Sequence, residues 1–135
     1  MIDYIIRLIR QCFPLQVKWV SWDGNILTLS GKDWSFSTIS AWRVLGDASS
    51  IEYACWDEAV EKRIKEFEGE KIIGVDKQGA IVTVDPVFKL STGKQLEIFS
   101  SDTFEPWVLK LPDGQVFAGA LEMGEPTISL VKSAA

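Results

Sequence analysis

Histidine is absent from this 135-residue chain, and cysteine, methionine and tyrosine occur only twice each. Without histidine there is no ordinary general base near neutral pH and no imidazole ligand for a metal. Ser–His and Cys–His nucleophile pairs are excluded outright. Cys12 and Cys55 form no CxxC pair and lack metal-ligand spacing, so they read as reduced thiols acting as small apolar residues. Glycine-rich nucleotide motifs are missing too. Ser91-Thr92-Gly93-Lys94 lacks the earlier glycine and the following helix of a phosphate-binding loop, and reads as a hairpin turn. No apolar run approaches the ~20 residues of a membrane span. The opening stretch is broken by Asp3, Arg7 and Arg10, unlike the apolar core of a secretory signal. The expectation is a cytoplasmic chain with no cofactor, no metal and no enzymatic activity.

What is present is apolar and aromatic. The chain is 47% hydrophobic and 24% charged, with six Trp and seven Phe. That is ample surface for one domain over residues 1–135. The net charge is −5 and the isoelectric point about 4.7, which disfavours nucleic acid and suits a basic protein partner.

Periodicity predicts an α+β fold: antiparallel, β-rich sheets with a short N-terminal helix and one central amphipathic helix. Ile2, Ile5, Ile6, Ile9 and Phe13 recur at helical spacing until Pro14 ends the run. Strands are predicted over Gln16–Trp22 (with Val17 and Trp19 inward), Ile26–Leu29, Trp34–Ile39 and Ala41–Leu45. The central helix is predicted over Ala54–Glu68, with Trp56, Val60, Ile64 and Phe67 on one stripe and Glu58/Lys62 and Glu61/Lys65 as supporting i,i+4 pairs. Further strands are expected over Lys71–Asp76, Ala80–Asp85, Val87–Leu90, Gln95–Phe99, Pro106–Leu111, Val116–Leu121 and Thr127–Val131. Pro86 marks an edge or a bulge, and Pro112-Asp113-Gly114 a tight turn.

Two stretches, about 16–45 and 71–111, share a pattern. Each reads strand, Gly-Lys turn, strand, Ser/Thr-rich bend, then a strand opening near Trp: Leu29 to Leu45 in the first, Leu90 to Leu109 in the second. The pattern implies two three-stranded units around a shared core, with Trp42 and Trp107 as matching anchors.

Charge is uneven. Residues 96–125 carry Glu97, Asp102, Glu105, Asp113, Glu122 and Glu125 against Lys110 alone. If they share a face they make an acidic field, within which Asp102, Glu105, Asp113 and Glu122 are the candidate partner-binding residues. Trp22, out of phase with Trp19 beside a turn, is the candidate exposed aromatic anchor.

The run Leu96-Glu-Ile-Phe-Ser-Ser-Asp-Thr-Phe-Glu-Pro-Trp-Val-Leu109, followed by Leu111-Pro112-Asp113-Gly114, resembles small bacterial immunity-type proteins. Those accompany polymorphic or contact-dependent growth-inhibition toxins. The resemblance implies a cytoplasmic protein, monomer or homodimer, that binds one cognate and basic toxin domain and occludes it. The alternative is a non-catalytic structural or self-associating domain using an edge strand. An enzyme relying on carboxylates would need a deep acid-lined pocket.

Overall fold

The structure is a computed structural model that describes residues 2–46, 50–77, 86–99, 107–122 and 125–132, with side chains described for 6–46, 50–76, 86–99 and 107–118. The expected strand over Ala80–Asp85 lies outside the described residues.

Alternating burial builds twelve strands: β1 (Leu15–Gln16), β2 (Trp19–Trp22), β3 (Leu27–Ser30), β4 (Ser35–Thr38), β5 (Ala41–Leu45), β6 (Ile51–Ala54), β7 (Lys71–Lys77), β8 (Pro86–Leu90), β9 (Gln95–Phe99), β10 (Trp107–Lys110), β11 (Val116–Glu122) and β12 (Glu125–Lys132). The helices are α1 (Ile2–Arg10) and α2 (Val60–Arg63), the latter running into a 3₁₀ turn at Ile64–Phe67. The α+β class and the antiparallel sheets are as the periodicity predicts.

The strands form two antiparallel sheets, β1-β7-β8-β9-β5-β6 and β12-β11-β10-β4-β3-β2. Each hairpin, β3–β4 and β8–β9, stays within one sheet, and the strand after it crosses to the other. Thus β5 pairs with β9 and β10 pairs with β4. The two units trade their third strands. Trp42 lies opposite Ile98, the fourth residue of β9, and Trp107 opposite Thr38, the fourth residue of β4. Both indoles are buried.

Aromatic rings join the sheets. Phe36 of β4 meets Phe88 of β8 edge-on at 4.7 Å and lies 6.1 Å from Trp107. Trp42 of β5 meets Trp22 of β2 at 5.4 Å and Tyr53 of β6 at 6.4 Å, both edge-on. Such pairs add roughly 0.5–1.5 kcal/mol each beyond area burial. Ile6 and Ile9 of α1, and Val60, Ile64 and Phe67 from the α2 segment, complete one apolar cluster. Arg10 ties α1 to β7, donating to the Val75 carbonyl and to Asp76, each at 3.1 Å.

Three expectations are corrected. The run Gln16–Trp22 is not one strand: Leu15–Gln16 pairs with β7 in the first sheet, and Trp19–Trp22 with β3 in the second. The join at Val17–Lys18 is held by bonds to Glu70, Gly69 and Ser30, and it shifts the inward–outward phase of β2. Val20 turns inward and Trp19, expected inside, is 58% exposed. The central helix is also shorter than predicted, as Ile51–Ala54 is recruited to β6 against β5. The Asp57 carboxylate accepts the Ala54 N–H at 2.8 Å, closing a turn where a helix would begin. Trp56 leaves the buried stripe as a result. Finally, Pro86 does not mark an edge strand. It is the first residue of the interior strand β8, a place where a missing N–H is tolerated.

At Gly31 the backbone passes so close that an added Cβ would stand 2.2 Å from Trp34 Nε1 and 2.4 Å from the Gln16 carbonyl. The Trp34 N–H donates to that same carbonyl at 2.9 Å. This contact joins the β3–β4 turn to β1 across the two sheets.

Edge strands invite unwanted pairing. β2, at the border of the second sheet, is protected by the 3₁₀ turn and the residue after it. Its Val20 N–H donates to Glu68 Oε2 at 2.9 Å, and its Val20 carbonyl accepts from Lys65 Nζ. β6, at the border of the first sheet, is engaged by Asp57, which bonds both the N–H and the carbonyl of Ala54. Glu68→Ala should therefore cost about 1–2 kcal/mol in urea unfolding, through the orphaned Val20 N–H. It should also add concentration-dependent association by light scattering, while Glu68→Gln, which keeps an acceptor, retains most of the stability.

Candidate functional site

Of the residues expected to meet a partner, Asp113, Glu122 and Trp22 fall among the described residues. Asp102 and Glu105 lie outside the described residues. Asp113 sits in the turn before β11 and Glu122 ends that strand, so they stand at opposite ends of a seven-residue element, roughly 20 Å apart along the backbone. Asp113 has a local task. Its carboxylate accepts the Gln115 N–H at 3.0 Å, closing the turn, and the Cys12 thiol at 3.6 Å. Glu97 drops out of the acidic field because Arg43, its cross-strand neighbour, pairs with it at 2.5 Å while stacking over Phe99 at 4.6 Å. Trp22 is not an exposed anchor. It is half-buried, and its phase with Val20 turns it onto Trp42 in the core.

A cleft of about 260 Å³ opens between β1, the Lys32–Trp34 turn and Pro112, with Cys12, Lys18 and Asp33 on its wall. It is smaller than the roughly 300–1,000 Å³ of typical ligand sites. Burial and the neighbouring Asp113 carboxylate push the Cys12 thiol above its usual range, which disfavours the nucleophilic thiolate. Among the described residues no group of three or more Cys, Asp or Glu side chains is placed to hold a metal ion. No helix among them is long and apolar enough to cross a membrane.

A second acid-rich stretch lies between the two units. Residues 51–70 carry Glu52, Asp57, Glu58, Glu61, Glu66, Glu68 and Glu70 against Lys62, Arg63 and Lys65. Lys94 pairs with Glu52 and Glu66, and Lys65 with Glu68, so the outward charge near Trp56 rests on the exposed Asp57, Glu58 and Glu61. Trp56, within this stretch, is 73% exposed, the most exposed large apolar side chain among the described residues.

This surface is held rigidly from below. Lys94, from the β8–β9 turn, clamps Glu66 at 2.5 Å and Glu52 at 3.2 Å, joining the 3₁₀ turn to β6. The bond to Glu66 raises the Lys94 pKa, against a smaller opposing effect of burial. Glu66 also accepts from the Tyr53 hydroxyl, whose ring carries the Arg63 guanidinium at 4.2 Å. Burial first, then the Glu66 bond and charge, push the Tyr53 hydroxyl well above its ordinary pKa of 10. Above Tyr53 the chain is fixed at both sides of Trp56. The Cys55 N–H donates to the Trp42 carbonyl at 3.0 Å, and Asp57 bonds back to Ala54. Ala59 closes the turn in the left-handed region (φ 58, ψ 20), a conformation that costs a non-glycine residue about 1–2 kcal/mol.

The acids here are countable in the sequence. A continuous helix would absorb them into i,i+4 pairs, but Glu58 precedes the first helical residue, so its pairing with Lys62 loses its geometry. The signal that points to the turn is Asp57, three residues after Ala54, a spacing suited to a side chain that caps a turn.

The chain matches no family model, no curated protein and no solved structure.

Because the folded chain holds the Tyr53 and Lys94 protons more tightly than the unfolded chain does, both groups contribute stability that is fully present below about pH 10. That stability falls as pH rises beyond it, since the unfolded state releases its protons first. Urea unfolding between pH 8 and 11 should show this alkaline loss, and Tyr53→Phe should flatten it while lowering stability at pH 8 by about 1 kcal/mol.

Proposed function

We propose that this chain is an immunity-type binding protein that neutralises a basic toxin domain by covering its working surface. The observation that carries the reading is the hydrogen-bonded turn that presents Trp56 beside the exposed carboxylates Asp57, Glu58 and Glu61. The resemblance of residues 96–114 to immunity-type proteins supports the same reading. Occlusion needs a firm surface of complementary charge and no bond-making chemistry. Opposite fields accelerate encounter, and a few desolvated contacts then set the lifetime of the complex. The cytoplasm is where such a protein would meet an incoming toxin.

The purified product of the adjacent reading frame is the natural test partner. It should be basic, bind the chain one to one and lose its activity when bound. Its association rate should fall about tenfold or more between low and high salt. A neighbour that is acidic, or that stays fully active beside excess chain, would sink the proposal.

A second reading, self-association, is favoured by one observation. β12 borders the second sheet with eight residues, against four each in β2 and β6 and two in β1. Antiparallel pairing of β12 with a second copy would join the sheets of two chains. Light scattering from 5 to roughly 500 µM separates the readings: a persistent dimer that ignores the basic partner favours this one.

A further inference from the structure

We infer that Trp56 is the anchor of a protein-docking surface, inserting into an apolar pocket rimmed by arginine or lysine on a basic protein. The inference rests on the neutralising reading above and deepens it by naming the contact and the chemistry of the opposing surface.

The indole is the primary observation. Its 73% exposure stands against two anchor tryptophans, Trp42 and Trp107, that this fold buries almost completely. Exposure is imposed by the turn. Hydrogen bonds fix Cys55 on one side of the indole and Asp57 on the other, and Ala59 completes the reversal. A side chain presented on so constrained a backbone loses little freedom when it docks, so more of its contact energy appears as affinity. Tryptophan is also the residue type most enriched at the energetic centres of protein interfaces.

Charge identifies the partner. Glu52 is paired with Lys94 and Asp57 caps the turn, while Glu58 and Glu61, two and five residues beyond the indole, are exposed carboxylates. Phosphate backbones and anionic lipid surfaces would be repelled. A pocket edged with guanidinium groups would be drawn in, its arginines able to stack on the indole face and pair with Glu58 or Glu61. The acids define who approaches, and the indole defines where contact is made.

The test uses the full chain labelled with 5-fluorotryptophan, titrated with the purified product of the adjacent reading frame. Fluorine NMR should move the Trp56 resonance, assigned with Trp56→Phe, more than any other. Trp56→Ala should weaken binding about thirtyfold or more with unchanged thermal stability, as expected of an exposed interface centre. Glu58→Gln with Glu61→Gln should slow association and blunt its salt dependence. Trp19→Ala, which removes the other exposed tryptophan, should leave affinity unaltered. A complex that survives Trp56→Ala within twofold overturns the anchor and leaves the neutralising reading standing. The absence of any complex with the wild-type chain overturns that reading and the anchor with it.

Discussion

Much of the molecule depends on the aromatic contact between the two sheets. Phe36 against Phe88, and Trp42 against Trp22, bridge one sheet to the other, and Tyr53 packs on Trp42 from the neighbouring strand of the same sheet. The outer parts of the fold hang from those rings. Tyr53 reaches from the core to Glu66, and Glu66 to Lys94, so the α2 segment is seated by a side chain whose ring is buried. The carbonyl of Trp42 receives the Cys55 N–H. The most exposed indole is thereby tied, through one residue, to one of the most buried. The apolar support of the α2 segment comes from Val60, Ile64 and Phe67.

The fold class was legible because it rests on period-two alternation and turn chemistry, which are local. Gln95–Phe99 matches its predicted bounds, and β3, β4, β7, β10 and β11 fall within a residue or two of theirs. What was not legible depended on partners distant in sequence. The split of Gln16–Trp22 between sheets is set by Glu70, Gly69 and Ser30, and no window around Val17 contains them. β6 exists because β5 offers it an edge, and its four residues carry no alternation of their own. The candidate site suffered for the same reason. Glu97 could not be known to be neutralised until Arg43 was placed beside it, nor Asp113 to be engaged until Cys12 arrived from the other end of the chain.

Charge and edge protection turn out to be linked. Glu68 and Lys65 cap one sheet border, and Asp57 caps the other. These belong to the same acidic stretch that faces outward around Trp56. One short segment thus both covers two of the sheet borders and presents the most exposed indole among the described residues.

The traded third strands carry a consequence for how the fold closes. A half-length polypeptide with this plan could not seat its own third strand beside its own hairpin. Its natural closure would be with an identical copy about a dyad, each lending that strand to the other. In this chain each sheet joins the hairpin of one unit to the third strand of the other, so neither sheet closes without both. After its fifth strand the first half proceeds to the Trp56 turn, whereas the second proceeds to β12. The two halves therefore share a strand plan while ending differently, and the Trp56 turn belongs to the first half alone.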